Sequence, residues 1–280
     1  MSSLSVLPQL VQSTTSTSAS ESLIPLNTIK SYAQKNQTPL VLQNNFLAGL
    51  GLEHKPLTTM IIATNLAVFL AWQSPKFSYF MNEHFTTSVP TIFRQARLHT
   101  LVTSAFSHAT PLHFLFNNIA LFSVLPVFEK LWGIKETAAV YVGSAIVSNI
   151  IYLSTHYMID RAAARSGRWN LAMSNALNAR SLGASGVLCA FFVCFANMYP
   201  NAQFSLIFLP QMHFDALTMM SAFALFDTAG FLATLVRGYG FMGLCHSAHL
   251  AGYLTGLFIY KIIDPQLRKR RAHRLGLRRY

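Results

Sequence analysis

The chain has 280 residues, 52% of them hydrophobic and only 11% charged, with a mean hydropathy of +0.37. Soluble domains carry about 25% charged residues, so a purely soluble enzyme is set aside, and three cysteines cannot staple a secreted disulfide scaffold. The formal charge is +12, of which +6 comes from Asp264 onward, where seven Lys/Arg face one Asp. A basic tail beside an apolar segment suits anionic lipid headgroups better than nucleic acid, and no nucleic-acid partner is expected.

Residues 1–55 read as a polar leader, disordered or targeting. The first 36 residues hold nine Ser and four Thr, with Glu21, Lys30 and Lys35 as their only charges. A Ser-rich, acid-poor stretch fits a transit peptide, but the Arg enrichment of one is missing, so a plain disordered leader stays open. Residues 56–264 form the main domain, and 265–280 the basic tail. Within the domain six apolar windows follow, at 57–72, 112–128, 137–159, 182–199, 215–236 and 243–263, against about 20 residues for a spanning helix. No apolar window of that length precedes Leu57. From Gly183 to Tyr260 the only Asp, Glu, Lys or Arg residues are Asp215, Asp227 and Arg237, which places this half within lipid. Two connections are long: Gln73 to Pro111, rich in aromatics and His, and Asp160 to Ser181, with Arg161, Arg165, Arg168 and Arg180. The fold class is therefore an all-α polytopic membrane protein. No internal repeat supports a transporter built from duplicated halves.

Polar groups in membrane helices are costly and tend to be functional. His113 and Asn117 are four apart and share a helix face. Gly183-Ala184-Ser185-Gly186 flanks a serine with glycines that allow close chain approach. In the sixth window His249, Gly252 and Gly256 line one face, a smooth stripe for helix packing. Gly183, Gly186, Gly252 and Gly256 are thus expected in close packing. Each motif alone has a bland reading, as packing or an interfacial side chain. Cys245, His246 and His249 lack a fourth ligand at metal spacing, so no metal is expected. Together, Ser185, His249, His113 and Asn117 supply a nucleophile, a base and oxyanion donors from three windows.

These elements, with Thr103-Ser104-Ala105-Phe106-Ser107-His108 before them and Glu129 and Gly133 after the second window, resemble the rhomboid intramembrane serine proteases over residues 97–260. Ser181-Leu182-Gly183-Ala184-Ser185-Gly186, Ile207-Phe208-Leu209-Pro210 and Asp227-Thr228-Ala229-Gly230 are most similar to the mitochondrial, presenilin-associated rhomboid-like branch. The resemblance implies a six-transmembrane-helix bundle in the mitochondrial inner membrane and a Ser–His dyad cutting single-pass or other transmembrane protein substrates in or near their membrane segment. It makes Ser185 the nucleophile and His249 the base, gives His113, Asn117 and the Ser185 backbone N–H the oxyanion role, and implies no cofactor. The alternative is a catalytically silent relative that binds and routes membrane clients; such relatives commonly lose the Ser or the His, and both stand here.

There are departures. The Trp-Arg pair of many rhomboid first loops reads His99-Thr100. The aromatic that often follows the nucleophile by four residues is Cys189. The additional N-terminal span usual in the mitochondrial branch has no counterpart before Leu57. Asp227 is a further question. An acid in mid-helix must be paired or hydrogen-bonded, yet the resembled family works with two residues and no spacing ties the fifth window to His249. Asp227 is therefore expected to have a structural role rather than to complete a triad.

Overall fold

The computed structural model describes residues 55–165, 178–206, 209–237 and 244–275. The leader expected before residue 55, residues 166–177 of the third loop, and Ile207 and Phe208 lie outside them. Each of the six apolar windows holds a helix. In chain order the elements are α1 (Pro56–Trp72), three short helices α2 (Ser78–His84), α3 (Val89–Phe93) and α4 (Thr100–Thr103) in the first loop, then α5 (Pro111–Trp132) and α6 (Ile134–Arg165). After these come α7 (Ser185–Met198), a hairpin of β1 (Gln203–Leu206) and β2 (Leu209–Asp215), α8 (Ala216–Arg237) and α9 (His246–Phe258). A π-helical stretch, Ile259–Ile263, carries α9 into α10 (Asp264–Arg274) without a break. The hairpin is an element the sequence reading does not contain. It pairs Gln203 with Asp215 and Phe204 with Phe214, and the Phe204 ring meets Phe192 edge-on and Phe195 at a tilt, both of α7.

Proline opens both α1 and α5, where its missing N–H costs nothing. Helix α5, residues 134–162 of α6, and α8 are each long and apolar enough to cross a bilayer, and α1 with Pro75–His84 makes a fourth candidate bent by 97°. Their outward residues, such as Leu225 and Val236 of α8, are exposed and apolar, as lipid contact requires. The protein is an all-α membrane bundle.

Helix α7 occupies the centre, against α5, α6, α8 and α9. Phe191 meets Phe128 and Trp132 of α5, and Ala190, Cys194 and Ala196 are fully buried. With 14 residues it is about 21 Å long, short of the ~30 Å of a hydrocarbon core. The residues before Ser185 are non-helical, so irregular backbone sits beside a buried helix start. Such backbone is tolerated at depth only where protein satisfies it.

The closest helix approach joins α7 to α9. A Cβ on Gly252 would lie 2.2 Å from the Gly186 carbonyl oxygen, and one on Gly256 would lie 2.5 Å from that of Ala190. Two backbones touch along this seam, as the glycine stripe leads one to expect. At the other end of the bundle, Glu129 accepts from the Leu57 and Thr58 N–H groups, 3.2 and 2.9 Å, and from the Thr58 hydroxyl. It caps a helix whose first N–H groups have no other acceptor. Trp132 Nε1 donates to Asp264, 2.8 Å, and Arg274 reaches Glu136 at 2.5 Å. The start of the basic tail is thus a helix docked on the α5–α6 turn.

Gly252→Val should overpack this seam and lower stability by about 1–3 kcal/mol, seen as a lower Tm in detergent. Gly143, whose Cβ would meet nothing within 4 Å, is the control: Gly143→Ala should hold or raise Tm, since alanine favours a helix interior.

Candidate active site

Ser185 is the first residue of α7, and the stretch before it is tied down almost residue by residue. Arg180 donates to Glu83, to the Asn82 carbonyl and to the Thr86 hydroxyl, at 3.1, 2.5 and 3.0 Å. Ser181 and Thr87 exchange two backbone bonds of 2.8 and 2.9 Å. The Gly183 N–H donates to the Ser104 carbonyl, 2.8 Å, and the Ala184 N–H to His108 Nε2, 3.4 Å. Burial, and then the nearby His113, push the His108 pKa down to about 3, so its ring stays neutral and can accept. Gly183 has φ +115°, a conformation that side chains disfavour. A Cβ there would also meet the His113 ring at 2.6 Å. Gly183 therefore belongs to the turn ahead of α7 and lets His113 close on it, rather than packing one helix on another.

His249 lies in the first turn of α9. Its Nε2 is 2.8 Å from Ser185 Oγ and its Nδ1 is 2.9 Å from Asp227 Oδ1. The same oxygen lies 2.7 Å from His246 Nδ1, and Tyr253 donates its hydroxyl to Asp227 Oδ2 at 2.6 Å. An ionised carboxylate only accepts, so both histidines present Nδ1–H to it. That leaves Nε2 of His249 as the acceptor for the serine hydroxyl. Residues 246, 249 and 253 recur at helical spacing and face α8 together. Asp227 is hydrogen-bonded, as an acid in mid-helix must be. It is 3% exposed, and its partners include His249, which no spacing in the sequence reveals.

His113 and Asn117 share a face of α5, as expected. The His113 ring lies against Gly183, two residues ahead of Ser185. Asn117 Nδ2 donates to the His113 carbonyl at 2.9 Å, and its buried Oδ1 has no partner. Asn118 turns elsewhere and accepts from Asn65 Nδ2 of α1 at 2.8 Å. Of the two first-loop departures, His99 Nε2 lies 3.0 Å from His84 Nδ1 and Thr100 is buried. Cys189 lies against Gly252. A pocket beside Ser185 is polar on one side, lined by Ser148, Asn149, Ser181 and Cys245. The ligand atoms of Asp227, His246 and His249 lie within 4.8 Å of one another. Separations of 2.7 and 2.9 Å are those of hydrogen bonds, shorter than the ~3.3 Å between tetrahedral ligands on bonds of about 2.0–2.1 Å. Direct hydrogen bonds account for the cluster.

Residues 95–265 match the Rhomboid domain. The chain belongs to the rhomboid family. It is 28% identical over 215 residues to "Presenilin-associated rhomboid-like protein A, mitochondrial" of Danio rerio, covering 77% of this chain and 49% of that protein. It is 28% identical over 200 residues to "Presenilin-associated rhomboid-like protein, mitochondrial" of Mus musculus, covering 71% and 46%. "Rhomboid protein 1, mitochondrial" of Saccharomyces cerevisiae is 26% identical over 222 residues, covering 79% and 57%. The chain thus spans about half the length of these relatives. It is a multi-pass membrane protein most similar to the mitochondrial branch of a family that consists generally of intramembrane proteases.

The two adjacent asparagines should separate stability from chemistry. Asn118→Ala leaves Asn65 Nδ2 buried without its acceptor and should cost about 1–3 kcal/mol, seen in thermal unfolding. Asn117→Ala, whose amide bonds only within its own helix, should leave Tm near wild type.

Proposed function

We propose that this rhomboid is an intramembrane serine endopeptidase of the mitochondrial inner membrane, cleaving transmembrane protein substrates in or near their membrane segment. The observation that carries the reading is the unbroken line from Ser185 Oγ through His249 to Asp227, 2.8 and 2.9 Å per step, inside an apolar bundle. In this reading Ser185 attacks the scissile carbonyl while His249 Nε2 takes its proton. Asp227 holds the ring with Nδ1 protonated and stabilises the imidazolium that forms. His249 then passes the proton to the leaving amine. A water molecule, activated in turn by His249, releases the acyl group and restores the serine. His113, Asn117 and the Ser185 N–H are the donors for the oxyanion, Asn117 through an amide hydrogen not used on the His113 carbonyl. The pocket beside Ser185, with Ser148, Asn149 and Ser181 in its wall, offers that water polar partners. No step calls on a metal or cofactor.

The test uses purified protein in lipid vesicles and a single-pass transmembrane reporter. Ser185→Ala and His249→Ala should each abolish cleavage, and the double variant should be no worse than either. Asp227→Asn, which offers His249 an amide in place of a carboxylate, should lose on the order of 10⁴ in kcat. Asn117→Ala should lose about a hundredfold, mostly in kcat, because its charge contact exists only in the transition state. Near-normal cleavage by folded Ser185→Ala would sink the protease reading. Near-normal cleavage by Asp227→Asn would reduce the triad to a dyad.

A further inference from the structure

Asp227 is shared. One of its oxygens meets two imidazoles, and only His249 touches Ser185. The other ring, His246, is 2% exposed, and three residues of α8 fix its attitude. Phe226 packs on it edge-on at 5.6 Å between ring centres. Asp227 receives Nδ1 at 2.7 Å. Gly230, three residues on and so on the same face as Asp227, makes room for the ring: a Cβ there would come within 2.4 Å of His246 Cε1 and Nε2. A glycine cut to the ring's shape and a carboxylate set at its nitrogen are two independent marks of a fitted position.

We propose that His246 is a positioning residue for the Ser185–His249 pair, acting through the Asp227 carboxylate that it shares with His249. The assignment rests on the protease reading above. An acid in an apolar bundle keeps its charge only where donors replace water. His246 and Tyr253 are the two donors that do not take part in proton transfer with Ser185. With both in place, Asp227 stays ionised and turned so that Oδ1 faces His249. Without His246 the carboxylate loses a donor and can rotate, and it takes up a proton more readily. A protonated Asp227 can donate to His249 Nδ1 as well as accept from it and no longer offsets the imidazolium charge, so the tautomer needed for base catalysis is no longer enforced. The other titratable groups facing this centre are Cys189 of α7, which interacts with Asp227 and Tyr253, and His113 of α5, which faces His249. Helix α6 presents Tyr152 to Cys245.

The assignment is read from covalent labelling of Ser185 in the full chain by a fluorophosphonate probe, in which Ser185 Oγ bonds to phosphorus, fluoride leaves and His249 takes the proton. The labelling rate is measured across pH for four proteins. His246→Leu removes the donor and should slow labelling at neutral pH by about 10- to 100-fold, with the acidic limb of the profile moved to higher pH. His246→Asn puts an amide nitrogen close to where Nδ1 stood, and should keep the limb in place and the rate within about tenfold. His246→Gln sets its amide one carbon too far and should behave like Leu. If Leu does not fold, the Asn and Gln pair decides. Equal slowing at all pH by Asn and Gln, or no slowing by either, would overturn the assignment while wild-type labelling still upheld the protease reading. Absence of Ser185-dependent labelling in the wild type would overturn both.

Discussion

A carboxylate within an apolar helix bundle has to be met by donors or lose its charge, and much of this structure follows from meeting one, Asp227. Its three donors lie on a single face of α9, so satisfying the acid docks α9 on α8 at one rotation only. The adjoining strip of α9, which shares His249, then carries Gly252 and Gly256 against the α7 backbone. That approach brings His249 to the first residue of α7. The distance from His249 to Ser185 is thus a consequence of two helix contacts, one polar and one steric, that meet on the same helix.

The second constraint is the short central helix. A helix of 14 residues leaves the backbone before Ser185 without intrahelical partners. The first loop supplies them, through Thr87, Ser104 and His108. The loop itself is fastened by Glu83, a buried acid paired with both Arg97 and Arg180. Two arginines on one carboxylate tie Arg180, five residues from Ser185, to a segment almost a hundred residues earlier in the chain. Loop order is therefore part of the geometry of the site rather than an addition to it.

This explains which features were legible in the sequence. Window positions were readable because burial in lipid demands long apolar runs, and the helices fall on them. The Gly252–Gly256 stripe was readable because small residues at helical spacing have few other uses in a membrane. Ser185, His249, His113 and Asn117 stood out through their neighbours in sequence. Asp227 stood out as an acid in mid-window, but its partners did not, because they are 19 to 26 residues away, across a loop that no local pattern spans. His246 and Tyr253 carried a signal, three before and four after His249 on one face, but it mattered only once an acid was known to lie opposite. The hairpin was missed for a different reason. Residues 203–215 lie between two apolar windows, and their short alternation looks like a loop until Phe204 is seen to reach the α7 aromatics. The partners of Glu83 were hidden in the same way as those of Asp227, with Arg180 far along the chain.

Four of the buried acids differ in what their donors can do. Glu129 is met by backbone N–H groups and a threonine hydroxyl, Asp264 by an indole and an arginine, and Glu83 by two arginines. None of these donors gains or releases a proton near neutral pH. Such acids hold elements together and do nothing else as the pH or the reaction changes. Asp227 alone of these four is met by imidazoles, which can take up and pass on a proton in a reaction. A proton gained by His249 turns a neutral hydrogen bond to Asp227 into a charged one, and strengthens it where water cannot screen it. In the proposed reaction, the acid that fixes the packing of α9 on α8 is then the same group that responds when Ser185 gives up its proton. Structure and chemistry are coupled at that carboxylate, and the other three acids keep the frame rigid around it.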